Sequence, residues 1–428
     1  MLFEKITLVN DRFEIEKDQY VGVRDNRIAY IGGTRPEGDW GETYTGRGRM
    51  LLPGMVNAHS HAAMTLLRGY GENLTLQRWL NEKIFPFEDK LSDAAVGAST
   101  RLAIAEMLRF GTVSFSDMYF FSQTSADAVL ESGIKCSLSR GLTVFDGSEY
   151  EQTAAYRDNL DLLSRYHGAG DGRLLVDLCI HAEYTTSPKV VEAVAQHARD
   201  TNSRIQVHLS ETQSEHEACK ARHGMTPAAY FEAHGLFDQP ATAAHCVWLE
   251  DADFEILKRR GVTAAACPVS NMKLASGFAP VPTMLERGIN VALGTDGAAS
   301  NNNLNLMQDL FLFATVYKGA TGDPTVVTPA QALRAATLGG ALAQGRDDCG
   351  AIRVGAKADL AVLDIDTPWM TPATDLLTNV IYSAQGNDIC LTMVDGKVLY
   401  RDGTYPTIDI ERVKYDVQRE TNAILAQL

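Results

Sequence analysis

Over residues 1 to about 50 the apolar positions fall in short runs broken by turns. KITLVN is followed by DQYVGVRDNRIAYIGG, whose Asp25-Asn26 pair reads as a hairpin turn. From Gly54 the pattern changes. Short β-rich runs alternate with longer amphipathic stretches such as AAVGASTRLAIAEMLRF: MLLPGMVNAHSH, GTVSFSDMY, IKCSLSRG, LLVDLCIHA, RIQVHLSET, ATAAHCV, GVTAAACPVS and NVALGTDG. Eight strands alternating with helices predict an α/β chain with a closed (β/α)8 TIM barrel, whose functional residues sit at the carboxyl ends of its strands. After about residue 350 the β texture returns in AIRVGAKADLAVLDI and ICLTMVDGKVLYRDG. The expected organisation is a catalytic barrel over 54–345 and a small composite β-sandwich domain built from both termini, 1–53 and 346–428.

Composition narrows the function. The chain has 428 residues, 45% of them hydrophobic, with 39 Lys+Arg against 54 Asp+Glu, a formal charge of -15. That is a globular composition, and it excludes disordered and fibrous classes. A sequence pI near 5.1 gives no positive field for phosphate backbones or anionic lipids, so neither nucleic acid nor membrane is expected as a partner. The amino-terminal MLFEKITLVNDRFEIEKD has neither a secretory core nor an 18-residue apolar run. Seven scattered cysteines without a C-x-x-C pair read as reduced thiols. The expectation is a cytoplasmic protein acting on small molecules, and a homo-oligomer is compatible with the sequence.

Five of the ten histidines, His59, His61, His181, His208 and His245, fall at or near predicted strand ends. His59 and His61 are two apart on a strand, so both face the lumen. With His208 and Asp296 they would offer three imidazole nitrogens and one carboxylate oxygen to one metal ion, leaving a position for water. Glu211 follows His208 by three positions and reaches that ion only if the strand ends between them. A carboxylate there can take a proton from the activated water and pass it to a ring nitrogen. His245 would orient the attacking hydroxide, and Asp296 would collect the second proton.

The motifs PGMVNAHSHAAMTLLRGYGENLTLQRWL, VHLSETQSEHE, AAHCVWL, CPVSNMKLASGFAPVP and LGTDGAASNNNLNLMQDL together resemble the amidohydrolase superfamily. The closest resemblance is to the 5'-methylthioadenosine/S-adenosylhomocysteine deaminases, and it covers nearly the whole chain. Carried over residue by residue, it makes His59, His61, His208 and Asp296 metal ligands, Glu211 the proton shuttle and His245 the hydroxide-orienting group. Two-metal branches of the superfamily use a carboxylated lysine on strand four or a nearby strand, and LLVDLCIHA has none. Lys135, before strand three, is a poor substitute. One divalent ion is therefore expected, zinc first, with iron or manganese also served by these ligands.

The resemblance further implies that Trp79 walls the site near the 5' group and that Glu88 accepts hydrogen bonds from ribose hydroxyls. Arg140 and His181 would contact the sugar or the purine edge. Members that accept S-adenosylhomocysteine carry an additional arginine in the loop after strand three. Here GLTVFDGSEYEQTAAY has acids at Asp146, Glu149 and Glu151, and its first arginine is Arg157. The expected reaction is hydrolytic deamination of an adenine nucleoside, namely 5'-methylthioadenosine, 5'-deoxyadenosine, adenosine or S-adenosylhomocysteine, with the last disfavoured. The alternatives are a deaminase or chlorohydrolase of guanine, cytosine or an s-triazine, an amide-ring hydrolase of the dihydropyrimidinase type, and a metal-binding scaffold without catalysis.

Overall fold

The computed structural model describes all 428 residues, which form two sheets. The first consists of eight parallel strands, each paired with the next in sequence: Met55–Ser60, Thr112–Tyr119, Lys135–Arg140, Leu174–Ile180, Ile205–Leu209, Ala241–His245, Thr263–Ala266 and Val291–Leu293. Strands one and eight meet through side chain and backbone. The Asn57 amide donates to Thr295 Oγ1 at 2.7 Å and accepts from the Thr295 N–H at 3.0 Å, and the Asp296 N–H donates to the His59 carbonyl at 3.0 Å. Gly294 allows this approach, since a Cβ there would lie 2.9 Å from the His59 backbone nitrogen. The result is the expected barrel, with Ala58, Ala265, Ala292 and Ala343 as a small-residue cluster inside it.

Helices cover the barrel because their apolar stripes demand it. Asp93–Arg109 is capped by Ser92, whose hydroxyl accepts from the Ala95 N–H at 3.2 Å, and it buries Val96, Ala103, Ile104, Met107 and Leu108.

The second sheet draws on both termini. Its path runs Lys397–Arg401, Ile389–Val394, Leu360–Asp364, Arg49–Pro53, Leu2–Val9, Ile15–Arg24, Arg27–Gly32, with Thr43–Thr45 beside Leu2–Val9. Most neighbours are antiparallel. The hairpin closes on Asp25-Asn26, where Arg24 pairs with Arg27 and Asp25 adopts φ 54°. The single apolar run MLLPGMV is divided between the sheets at Gly54, where a Cβ would lie 2.3 Å from Val113 Cγ1. We propose the same division of the chain, 54–345 for the barrel and 1–53 with 346–428 for the outer domain, with one qualification. The C-terminal helix Ile410–Leu425 returns to the barrel, where Val413, Val417 and Ile424 share a buried cluster with Met107 and Leu108. No helix is long and apolar enough to cross a membrane.

Candidate active site

The carboxyl ends of strands one, five, six and eight converge. His59 lies within strand one and His61 just past its last residue, and their rings stand 4.9 Å apart between centroids. The His208 ring of strand five is 4.8 Å from that of His59 and 5.4 Å from that of His61. His61 Nδ1 lies 2.6 Å from the Met118 carbonyl, and His208 Nδ1 lies 2.8 Å from the His181 carbonyl. A ring nitrogen facing a carbonyl must carry the proton, so in the neutral rings both Nε2 atoms turn lone pairs inward, 3.4 Å from each other.

That arrangement suits a cation. His59 Nε2 is buried and has no hydrogen-bond partner, and it lies 3.6 Å from Asp296 Oδ1, which is 3.2 Å from His61 Nε2. The other Asp296 oxygen is occupied by the Ser270 and Ser300 hydroxyls at 2.6 and 2.9 Å. The ligand atoms of His59, His61 and Asp296 lie within 4.8 Å of one another, as do those of His59, His208 and His245. Imidazole nitrogens with one carboxylate oxygen are the donors of a divalent first-row metal. Without one, burial lowers the His61 ring, but Asp296 overrides this and raises it to about 9. Asp296 itself is held well below its ordinary range, because the His61 bond and charge outweigh burial.

Glu211 enters the site because the backbone turns after strand five. The strand stops at Leu209, and Ser210 takes φ 48°, in the left-handed region. The Glu211 carboxyl then reaches Ser276 Oγ at 3.3 Å and His245 Nε2 at 3.8 Å. Burial pushes this carboxyl up, which favours its proton-carrying form. His245 at φ 72° and Asp296 at φ 61° share the unusual conformation. Three side chains are thus aimed inward by local backbone strain at the rim. The His245 ring is fixed from behind by Asn271, whose Oδ1 lies 2.9 Å from Nδ1.

His61, His208, Glu211, His245 and Asp296 line a cavity of about 640 Å³. Trp79, Glu88, Arg140 and His181 line it, so the structure brings every sequence-predicted site residue to one place. Burial raises the Glu88 carboxyl to about 7, against the nearby Tyr119 hydroxyl and the charge of His61. Burial lowers His181 to about 4, assisted by His61 and His245. Arg140 is the only lysine or arginine on the wall. Its Nε lies 2.9 Å from Asp158, Nη1 donates to the Gly141 carbonyl at 2.5 Å, and the guanidinium sits 5.0 Å from the Phe120 ring centre. Lys135 is no candidate for a metal bridge. It opens strand three at the opposite end of the barrel, where Asp359 and Asp395 hold its amine.

Sequence reasoning missed the supporting groups Ser270, Asn271, Ser276, Ser300, Glu215 and Tyr119. Five of them lie in motifs quoted for the resemblance, yet the serines and the asparagine are ordinary loop residues. Tyr119 ends strand two and could have been found by position alone.

The amidohydrolase family model matches residues 50–399. The chain is 42% identical over 403 residues to a 5-methylthioadenosine/S-adenosylhomocysteine deaminase of Moorella thermoacetica, covering 93% of this chain and 94% of that one. It is 39% identical over 424 residues to a 5'-deoxyadenosine deaminase of Methanosarcina mazei, covering 99% and 97%. A crystal structure of an adenosine deaminase from Xanthomonas campestris with bound zinc superposes with a TM-score of 0.94 at 30% identity, covering 99% of this chain and 98% of that one.

Proposed function

The chain belongs to the amidohydrolase family and is a hydrolytic deaminase, and from that premise we propose that it converts an adenine nucleoside to the inosine derivative and ammonia. The observation that carries the reading is the Glu211 carboxyl, raised by burial, beside His245 and the imidazole–carboxylate donor set at the floor of one cavity. His59, His61, His208 and Asp296 would hold one divalent ion, zinc before iron or manganese. When bound, such an ion lowers the pKa of water and supplies hydroxide near neutral pH.

The chain's own residues supply the rest. Glu211 takes a proton from the attacking water and delivers it to purine N1 as the C6–O bond forms. His245 orients the incoming oxygen through Nε2. Asp296 receives the second proton, which leaves on the amine as the C6–N bond breaks. Glu88 accepts from ribose hydroxyls, while Trp79 walls the 5' side and Arg140 and His181 border the sugar and the purine.

The same wall bears on substrate choice. A 5' carboxylate would meet a single guanidinium already paired with Asp158, with Glu88 and Asp89 nearby on the wall. The substrates are therefore 5'-methylthioadenosine, 5'-deoxyadenosine or adenosine in preference to S-adenosylhomocysteine. A cytoplasmic location belongs to the proposal, because all seven cysteines are free thiols suited to a reducing compartment.

The test is a spectrophotometric deamination assay over these four nucleosides, with guanine as a control and metal analysis of the same sample. One ion per chain and turnover of the neutral nucleosides are expected. A metal-replete enzyme inactive on all four removes the adenine-nucleoside reading, and comparable kcat/KM for S-adenosylhomocysteine removes the preference.

A further inference from the structure

Glu215 lines the same cavity, is buried, and has no part in the proton path proposed for Glu211. Its two oxygens are engaged by backbone amides on either side of one bend. Oε1 accepts from the Ser210 N–H at 3.2 Å and Oε2 from the Glu211 N–H at 2.8 Å. The bend is the one that matters. A regular strand through Ser210 would send residue 211 to the face opposite His208, and the φ of 48° at Ser210 reverses that. A non-glycine residue holds such a conformation only when its surroundings impose it. Glu215 is itself anchored, because Thr212 Oγ1 caps the helix Gln213–His223 by accepting from the Glu215 N–H at 3.2 Å. The Ser210 carbonyl is held from the other side by the Val247 and Trp248 amides at 3.1 and 3.0 Å.

We infer that Glu215 is a positioning residue: its carboxylate clamps the amides of Ser210 and Glu211 and thereby aims the Glu211 carboxyl at the reacting ring. The inference rests on the proposed role of Glu211. A carboxylate presents acceptors to both N–H groups, whereas a glutamine would turn its NH2 against one of them and loosen the clamp without changing the volume filled.

The test is a double-substitution cycle with Glu215→Gln and Glu211→Gln, alone and combined, scored by kcat and KM on 5'-methylthioadenosine, metal content and melting temperature. Glu215→Gln is expected to keep its metal and lower kcat by about 10-fold or more, with KM changed by less than about 3-fold. On the Glu211→Gln background the second substitution is expected to change kcat by less than about 2-fold, because the group being aimed is already disabled. Glu215→Asp, which keeps two acceptor oxygens on a shorter stem, is expected to recover part of the loss. Wild-type kcat in Glu215→Gln, a multiplicative loss in the double variant, or loss of metal in Glu215→Gln overturns the inference while leaving the deaminase reading in place. Wild-type kcat in Glu211→Gln overturns the proton-carrying role proposed for Glu211 and the inference with it, and the deaminase reading still stands.

Discussion

At the scale of single residues, the site is a set of charges whose protonation depends on what fills it. In the metal-free protein the Asp296 carboxylate raises the His61 ring to about 9 despite burial, against an ordinary value near 6.5. A raised histidine contributes stability that is fully present below its ordinary value and is lost as pH climbs through the folded one. The acids Glu88, Glu215 and Asp309, each driven by burial to about 7, titrate at the lower edge of that window, and His181, at about 4, below it. Between pH 7 and 9 the His61 contribution is lost on top of the tail of those acids, so the metal-free protein should lose melting temperature over that interval. A zinc-loaded sample is spared the His61 part of that loss, because ligation requires the deprotonated nitrogen at any pH, and should lose less. Parallel thermal melts of chelated and zinc-replete protein at pH 7, 8 and 9 check this. Equal slopes for the two samples would mean that His61 does not share the cation's place.

At the scale of elements, the seam between strands one and eight carries the candidate ligands on both edges. Asn57 spans it with two hydrogen bonds to Thr295, which immediately precedes Asp296, while Asn57 itself lies two residues before His59. Asn57→Ala leaves the buried Thr295 N–H without its side-chain acceptor, a cost of about 1–3 kcal/mol. It also frees Asp296 to drift from His59 and His61, so zinc affinity should fall along with stability. Titration with a competing chelator and a denaturant melt measure the two effects, and lost stability with unchanged affinity would uncouple the seam from the site. The strands themselves were readable in the sequence, because β-rich runs and amphipathic stretches alternate with turn residues between them. The histidines and Asp296 were readable because strand ends are where this architecture places its chemistry. Left-handed backbone was not: serine at 210 does not announce it, and histidine and aspartate at 245 and 296 favour it too weakly to be read from type alone. The change at Gly54 was readable as a change of pattern, but the splitting of MLLPGMV there into strands of two sheets was not, nor was the pairing of Arg140 with Asp158, which depends on where the helix Ala154–Arg165 comes to lie.

At the scale of the molecule, the barrel and the outer sheet are joined by a buried ion cluster at the end of the barrel away from the cavity. The Lys135 side chain, on the first residue of strand three, is 2% exposed. It pairs with Asp359, whose own side chain is 2% exposed, and with Asp395 at 2.9 Å. Against burial, these carboxylates hold the amine above its ordinary value, with Asp359 acting most strongly. Asp359 also accepts the Asp395 N–H on its side chain at 2.9 Å and the Gly54 N–H on its carbonyl at 2.9 Å, so one residue ties three segments distant in sequence at the crossing between sheets. Removing one partner of a buried pair leaves a charge without compensation, which typically costs about 3–5 kcal/mol. Asp395 still faces the lysine, so Asp359→Ala should cost about 3 kcal/mol, at the low end of that range. The loss should appear as a lower melting temperature of the whole chain, because the cluster belongs to both sheets at once. Turnover measured well below that temperature should be unchanged, since the strand carboxyl ends that bear the site are at the far side of the barrel. A variant with native melting behaviour would show that the cluster is not what couples the two sheets, and a folded variant with reduced kcat would show that the barrel transmits strain along its strands from base to rim.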